Sequence, residues 1–352
     1  MAVDRRPNVL LILASGWRAQ AVAWAPDSEL ATPNLAHLGR ESVTFSRAYT
    51  TYPRPIPSRA GLLHGRFPSA LNLEAPALGD VLNAEGYSVG RFGGRDVDEV
   101  VSFVHRSSPF YVEWTLDATP GLLERRAPDS VPLRGNVPPE SRSRARTAIS
   151  DFAARCWSQD RAIGIALAAL DVPGLHENTV VAFTSDRGGQ LGSHGQFRDD
   201  SPFEETVRVP LVIRYPNLLP RGREESILVS HMDLLPTILG LSRIPVPTSV
   251  QGQDLSSWIL ERRGERPEAV YAVGRTGQPD EWRMLVHGYD KLVTGSKGEV
   301  THLFNLADDP GEMRNLAEGA ADQLKRDSLL ALQRVWTRKM EDRTDRSGLK
   351  TR

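Results

Sequence analysis

Continuous apolar runs alternate along this chain with segments in which apolar residues recur at helical spacing. Runs that are rich in β-branched residues are typical of strands covered on both faces. They predict strands at residues 9–14, 87–92, 110–116, 179–184 and 210–215. Helices are predicted between these strands at residues 33–40, 58–63, 78–85, 150–170 and 233–241, the first of them with Thr32 as its N-cap. This alternation predicts an α/β fold with a mostly parallel central sheet and helices on both faces.

The pattern of apolar positions changes after residue 244. Four short segments, at residues 270–273, 282–287, 291–294 and 302–305, predict a small C-terminal antiparallel sheet, and a helix is predicted at 320–340. The chain is therefore expected to consist of an α/β domain over residues 1–244 and a small α+β subdomain over residues 245–341. Residues 342–352 form a charged tail that is expected to fray.

The composition is that of an ordinary soluble protein. Of the 352 residues, 40% are hydrophobic and 25% are charged, and the formal net charge is −1, so the chain can bury a sizeable core. Basic residues occur in short scattered groups rather than in one patch, which predicts no nucleic-acid partner. The single cysteine, Cys156, excludes an internal disulfide framework.

The N-terminal apolar run lacks the features of a membrane segment. Residues 9–14 are too few to span a bilayer, and no small-residue cleavage site follows before Trp17. We interpret the run as a buried strand, and the chain is expected to be cytoplasmic and to have no membrane contact.

Residues 53–66 carry the most informative motif. They read Pro-Arg-Pro-Ile-Pro-Ser-Arg-Ala-Gly-Leu-Leu-His-Gly-Arg. This stretch resembles the signature of the sulfatase family, in the alkaline phosphatase-like superfamily: Cys or Ser, any residue, Pro, Ser and Arg, then a short run that ends in Thr-Gly-Arg. Further blocks resemble the family in the same order, at residues 6–16, 180–189, 192–195, 202–211, 231–237 and 303–312. The resemblance therefore covers nearly the whole chain.

The resemblance implies a chemistry. Sulfatases use a formylglycine nucleophile, made from cysteine or serine, beside a divalent cation. The cation is usually calcium, held by carboxylate and amide oxygens. Basic residues hold the sulfate, and an acid serves the leaving alcohol.

Each family position can be carried over to one residue of this sequence. The nucleophile falls on Pro55, the first two cation ligands on Ser15 and Gly16, the later ligand pair on Asp186 and Arg187, and the late lysine on Asp199, with Arg198 as a one-residue slip. Two further family blocks fall on Gly94 and Asp96, and on Ala118. Among the positions that carry the chemistry of the family, Arg59, Asp186 and His194 keep the residue type of the family.

Two of these positions decide the expected activity. Pro55 has no hydroxyl, thiol or aldehyde precursor, so it cannot open a covalent route. Arg187 places a fixed positive charge where a ligand would face the cation, and like charges about 4 Å apart cost several kcal/mol at an effective dielectric of about 20. We therefore expect no metal and no other cofactor. Arg187 is expected to pair with Asp186 or to reach into the cation position; the alternative is that it points to solvent.

The retained residues each allow two interpretations. Arg59 could clamp an anion or tie the signature loop to the sheet. His194 could act as an acid or be a structural histidine. If the pocket binds an anionic ligand, the candidate residues are Arg59, Arg187 and His194.

Two hypotheses on function follow. The first is a sulfatase-family fold, a sulfuric ester hydrolase fold, that is inactive as a sulfatase and acts as a binding or scaffolding pseudoenzyme for an anionic small molecule or a protein partner. The alternative is an active hydrolase or transferase on a sulfate or phosphate ester, with a rebuilt metal-independent site in which Ser58, Thr50 or Thr51 is the nucleophile. In either case Ser15 and Asp186 should lie at one edge of the sheet, because open α/β sheets bind ligands there.

Overall fold

The computed structural model describes residues 6–22, 24–25, 30–68, 75–94, 97–117 and 131–341. Within these ranges the chain forms a central sheet of eight strands, helices on both of its faces, and a second sheet of four strands. The predicted α/β fold is confirmed.

Four strands form the parallel half of the central sheet. β1 (Asn8–Ala14) lies between β4 (Phe110–Leu116) and β5 (Thr179–Ser185), and β3 (Ser88–Gly93) pairs with the far side of β4. All three of these pairs are parallel. Every residue of β1 and β5 is buried, which explains why both strands have continuous apolar sequences.

The other side of the sheet begins with antiparallel pairs. β6 (Arg208–Arg214) is antiparallel to β5, and β2 (Val43–Tyr49) is antiparallel to β6. Two short strands, β7 (Arg223–Glu225) and β8 (Val229–Ser230), pair with β2 in parallel. The sequence pattern does not predict β2, because two half-buried polar residues interrupt its apolar run where its register shifts.

Helices cover both faces of the central sheet because alternate residues of each strand point to opposite sides. Leu11 of β1 belongs to one core, and Leu10 and Ile12 belong to the other. The helices around these cores are α1 (Pro33–Arg40), α2 (Pro55–His64), α3 (Leu78–Ala84), α4 (Asp98–Arg106), α5 (Arg142–Ala168), α6 (Glu204–Val207), α7 (Leu234–Leu241) and α8 (Ser256–Glu261). The helices α1, α4 and α5 pack on one face, and α2, α3, α7 and α8 on the other.

Two helices begin earlier than their sequences predict. α2 begins at Pro55 rather than at residue 58, because prolines suit the first turn of a helix, where backbone nitrogens need no partner. α5 begins at Arg142 rather than at residue 150, because its first two turns are mostly polar and carry little apolar periodicity. The short helices α4 and α8 were not predicted.

The N-terminus of α1 is capped from a distance. Thr32 stands at the predicted N-cap position, but its side chain makes no capping hydrogen bond. The buried carboxylate of Asp160 in α5 instead accepts the backbone N–H groups of Asn34 and Leu35. This tertiary contact satisfies the donors that a local cap would otherwise satisfy.

The C-terminal part of the chain forms the predicted antiparallel sheet and helix. The sheet has the order β12 (Val300–Asn305), β11 (Asp290–Gly295), β10 (Trp282–His287) and β9 (Ala269–Gly274). α9 (Gln323–Glu341) contacts β10 and β11. The domain division at residue 244 stays a prediction.

No helix in the described part of the chain is long and apolar enough to cross a membrane. The charged tail at residues 342–352 lies outside the described residues, as do Asp96 and Ala118.

Candidate functional site

The carboxyl ends of β1 and β5 meet at one edge of the central sheet. The two strands pair in parallel, with Ala14 opposite Ser185. The next residues, Ser15 and Asp186, therefore leave the sheet side by side. The backbone N–H of Asp186 donates to the carbonyl of Ala14 at 3.0 Å, which confirms that Ser15 and Asp186 lie at the same edge.

The buried carboxylate of Asp186 is surrounded by hydrogen-bond donors. Its Oδ1 accepts the backbone N–H of Gly16 at 3.2 Å and lies 3.3 Å from Nη1 of Arg187. Its Oδ2 lies 3.1 Å from Nη2 of Arg59. Two guanidinium groups therefore balance the charge of Asp186 from different sides.

The guanidinium of Arg187 joins three parts of the edge. Besides Asp186, it donates to Oγ of Ser15 at 3.1 Å and to Oδ2 of Asp199 at 3.1 Å. The side chain is only 16% exposed. Arg187 thus forms the local pair with Asp186 that was one of the expected arrangements, and the arrangement in which it points to solvent is wrong.

Arg59 makes a second ion pair that the sequence did not suggest. It lies in the first turns of α2, and its Nη2 is 3.5 Å from Oδ1 of Asp117. Asp117 directly follows β4, whose carboxyl end shares the edge with β1, and this position is the signal that could have identified it. We call Arg59, Asp117, Asp186, Arg187 and Asp199 the rim cluster.

Comparisons with known proteins establish the family. Residues 7–110 and 135–244 match the family model described as Sulfatase. The chain belongs to the sulfatase family. Residues 192–334 also match the model described as N-sulphoglucosamine sulphohydrolase, C-terminal.

The chain is 28% identical to an ulvan-active sulfatase of Formosa agariphila over 342 residues, which cover 75% of this chain and 66% of that protein. It spans 66%, 34% and 40% of the length of three curated relatives that it matches.

Two solved structures show the same fold. One, in complex with its substrate D-glucosamine-2-N,6-O-disulfate, has a TM-score of 0.85 at 18% identity and covers 98% of this chain and 100% of its own. The other, a phosphonate monoester hydrolase of Agrobacterium radiobacter, has a TM-score of 0.82 at 17% identity and covers 94% and 96%. At these identities the likeness shows the fold alone.

Pro55, at the position that the sulfatase signature assigns to the nucleophile, is the first residue of α2. Pro57 follows two positions later, so neither residue offers a backbone N–H. The N–H of Ser58 is already donated to the carbonyl of Arg54 at 2.9 Å. Helix N-termini bind anions through free N–H groups, and in this first turn only the N–H of Ile56 remains for that purpose.

Ser58, the hydroxyl nearest to Pro55 in sequence, belongs to a buried polar network. Its Oγ lies 2.6 Å from the carbonyl oxygen of Asp186, 2.8 Å from Oγ1 of Thr50 and 3.2 Å from Nδ1 of His231. Nε2 of His231 lies 3.2 Å from Oγ1 of Thr184. All four side chains are buried. Thr51, the third hydroxyl considered, is also buried.

In the sequence, His231 is the first residue of a block that resembles the family. Burial lowers the pKa of its imidazole to about 3, so the ring is neutral near pH 7. A neutral histidine beside a serine is the pair that base-assisted nucleophiles use. Here, however, neither side chain reaches the surface, and the best-placed acceptor for the serine proton is the backbone carbonyl of Asp186.

His194 lies in a different group of residues from the rim cluster. Its Nε2 is 3.1 Å from Nδ2 of Asn136 and 3.8 Å from Oε2 of Glu205. The ring stacks on Phe203 with a centroid distance of 4.0 Å. Burial lowers the pKa of His194, which opposes a positive charge there. The structure thus brings Arg59 and Arg187 together but gives His194 other partners.

A second charged group lies between the two sheets. Nζ of Lys291 is 2.9 Å from Oε1 of Glu204 and 2.7 Å from Oε1 of Glu312, and all three side chains are buried. Burial by itself would lower the pKa of Lys291, but the two carboxylates outweigh it and raise this pKa. We call these three residues the buried lysine cluster.

One group of side chains in the described part of the chain has ligand atoms close enough together to hold a metal. Atoms of His194, Glu205 and Glu312 lie within 4.8 Å of one another. The ammonium group of Lys291, 2.7 Å from Glu312, already supplies a positive charge to this group. Arg134 lies 3.4 Å from the other carboxylate, Glu205, so each carboxylate of this group already has a cation beside it.

The last two predicted positions have ordinary contacts. Arg198 pairs with Asp280 at 3.1 Å. Gly94 follows β3, and its backbone N–H donates to the carbonyl of Thr115 at 2.9 Å.

Proposed function

We propose that this sulfatase-family chain does not hydrolyse sulfate esters by the covalent route of its family and acts as a binding pseudoenzyme. The observation that carries the proposal is that both carboxylate oxygens of Asp186 already face cations. Its Oδ1 lies 3.3 Å from Arg187 and its Oδ2 lies 3.1 Å from Arg59, and these guanidinium groups would repel a metal ion at either oxygen.

The residues at the aligned positions do not fit calcium, which takes roughly six to eight oxygen ligands in proteins. Ser15 offers one hydroxyl, which already accepts a hydrogen bond from Arg187, and Gly16 offers no side chain. The guanidinium of Arg187, 3.3 Å from Oδ1 of Asp186, would repel a divalent ion. We therefore derive no catalytic step through a metal.

The alternative of a rebuilt hydrolase has less support. Its best nucleophile would be Ser58, since His231 lies 3.2 Å from its hydroxyl. Both side chains are buried, so a substrate ester has no direct access to the serine hydroxyl. No specific observation favours this route over binding.

Arg59 is the group best placed to receive an anionic ligand. Its partner Asp117 is 57% exposed, so that carboxylate can turn towards water when a ligand anion takes its place. The relatives of this chain include an ulvan-active sulfatase and an N-acetylglucosamine-6-O-sulfatase. A sulfated saccharide is therefore the ligand class to test first; a protein partner stays a second prediction.

A turnover assay tests the loss of catalysis. The unmodified protein and Pro55→Cys, each produced with the formylglycine-generating enzyme, should release no sulfate from an aryl sulfate and no phosphate from an aryl phosphate above background. Restoring the nucleophile alone should fail because groups that act as a unit are strongly non-additive. The smallest repair expected to matter combines Pro55→Cys with Ser15→Asp, Gly16→Asp and Arg187→Asn. Metal-dependent sulfate release by the unmodified protein would overturn the proposal.

A binding assay tests the positive part of the proposal. Titration calorimetry with a sulfated glucosamine should show binding that Arg59→Ala weakens at least roughly tenfold, since a charge-assisted contact contributes about 1.5–3 kcal/mol. Arg6→Ala is the matched control, because Arg6 also pairs with a carboxylate, that of Glu85 at 2.9 Å, but precedes β1 and so lies at the opposite end of that strand from Ser15. An equal loss of affinity in both variants would show that binding does not depend specifically on the rim cluster.

A further inference from the structure

We propose that the Arg187 guanidinium is a built-in cation that cross-links the rim of the sheet, and that removing its side chain leaves a site for a free guanidinium ion. The three groups it contacts come from different parts of the chain. Ser15 follows β1, Asp186 follows β5, and Asp199 lies in the segment that leads to α6. One side chain thus connects two central strands and the segment beyond them.

The backbone around Asp199 is shaped for this contact. A Cβ atom added at Gly189 would lie 2.9 Å from Oδ1 of Asp199, so the carboxylate would have to shift from its present position. Glycine at this position leaves room for the Asp199 carboxylate where it contacts Arg187. The other carboxylate, Asp186, has no freedom to leave, because its side chain is fully buried.

Charge balance explains why the cross-link matters. The rim cluster holds three carboxylates and two guanidinium groups. Without Arg187, Arg59 would still pair with Asp117 and Asp186, but Asp199 would lose its contact with a guanidinium group. A buried carboxylate that loses a partner cannot recover hydration, so the loss is expected to destabilise the fold.

The geometry also selects the kind of ion that could replace the side chain. The acceptors are one hydroxyl oxygen and two carboxylate oxygens, each about 3 Å from a guanidinium nitrogen. A planar cation with several N–H donors can contact all three at once. A divalent metal ion would find too few oxygens there to replace its water ligands.

Thermal unfolding of Arg187→Ala tests the inference. We expect the Tm to fall by roughly 3–8 °C, in line with loss of a partly buried charge pair. About 20 mM methylguanidinium should restore at least half of this loss by binding the native state, whereas urea at the same concentration, which has a similar planar shape but no charge, should not. Arg198→Ala should show no rescue by methylguanidinium. A Tm equal to wild type, or equal responses to methylguanidinium and urea, would overturn the inference.

Arg187→Lys covers the case in which the alanine variant does not fold. Lysine keeps the positive charge but lacks the planar fork, so its Tm should fall below wild type without rescue by methylguanidinium. A lysine variant as stable as wild type would contradict the cross-link. This inference goes beyond the proposed function, because it concerns stability. The rescue experiment can fail while the turnover and binding assays give the expected results, and those assays can fail while the rescue succeeds.

Discussion

The rim cluster and the buried lysine cluster are both built from ion pairs in which carboxylates outnumber cations, but they differ in exposure and in the kind of cation. In the rim cluster the cations are guanidinium groups, and Asp117 and Asp199 are 57% and 36% exposed. In the buried lysine cluster, the side chain of Lys291 is completely buried between Glu204 and Glu312.

The difference shows which residues carry the family likeness. Glu204 and Glu312 fall in blocks that resemble other sulfatases, and with Lys291 they connect the central sheet to the C-terminal sheet. In the rim cluster, Arg59 and Asp186 keep the identity that the family resemblance assigns to their positions, whereas Arg187, like Pro55 in α2, does not. The likeness thus covers the fold and only part of the site, and function has to be argued from the site itself.

The largest expected effect is in the buried lysine cluster. Lys291→Met should reduce the free energy of unfolding by about 3–5 kcal/mol, because Glu312 loses the ammonium group beside it and Glu204 is left with Arg208 alone of its two ion-pair partners in the described structure. Urea unfolding followed by circular dichroism measures this loss. Lys297→Met, at an exposed position in the turn after β11, is the control and should change the value by no more than about 0.5 kcal/mol. Equal stability of the two variants would remove the distinction between the clusters.

The pH dependence of stability extends the comparison to the buried polar network that contains Ser58 and His231. The folded-state pKa of His231, about 3, lies below its ordinary value of 6.5. The unfolded chain therefore binds more protons between these values, and stability is lost as the pH falls through this window, by up to ~1.4 kcal/mol per pH unit. His231→Gln should flatten this part of the profile, whereas His287→Gln, at an exposed position in β10, should not. An unchanged slope in His231→Gln would show that other groups cause the acid sensitivity.

A smaller effect is expected from the exposed side of the rim cluster. Asp199→Asn should lower the free energy of unfolding by about 0.2–1 kcal/mol, as is usual for partly exposed pairs. The loss of one negative charge should also tighten binding of inorganic sulfate by ~twofold, an effect that salt screens. Asp280→Asn, which alters the pair with Arg198, is the matched control. Weaker sulfate binding by Asp199→Asn would contradict the expectation that the negative charge of Asp199 opposes anion binding.

The sequence predicts strands best where both faces of the strand are buried. The bounds of β4 and β10 match their predicted ranges. The edge that brings Ser15 and Asp186 together follows from two adjacent parallel strands. β2 is missed because polar residues interrupt it, and Asp117 is missed because it belongs to no family block. The partners of His194 depend on a turn in which Leu191 and His194 both adopt positive φ values, and no local pattern predicts such a turn.

The metal content of the purified protein tests the central claim most directly. The protein should be equilibrated with calcium and magnesium, dialysed, and measured by elemental analysis together with its Tm in the presence and absence of a chelator. We predict far less than about one divalent ion per chain and no change in Tm, because calcium needs roughly six to eight oxygens and an unbound ion adds no stability. About one ion per chain that survives dialysis, with a Tm that falls on chelation, would contradict the account.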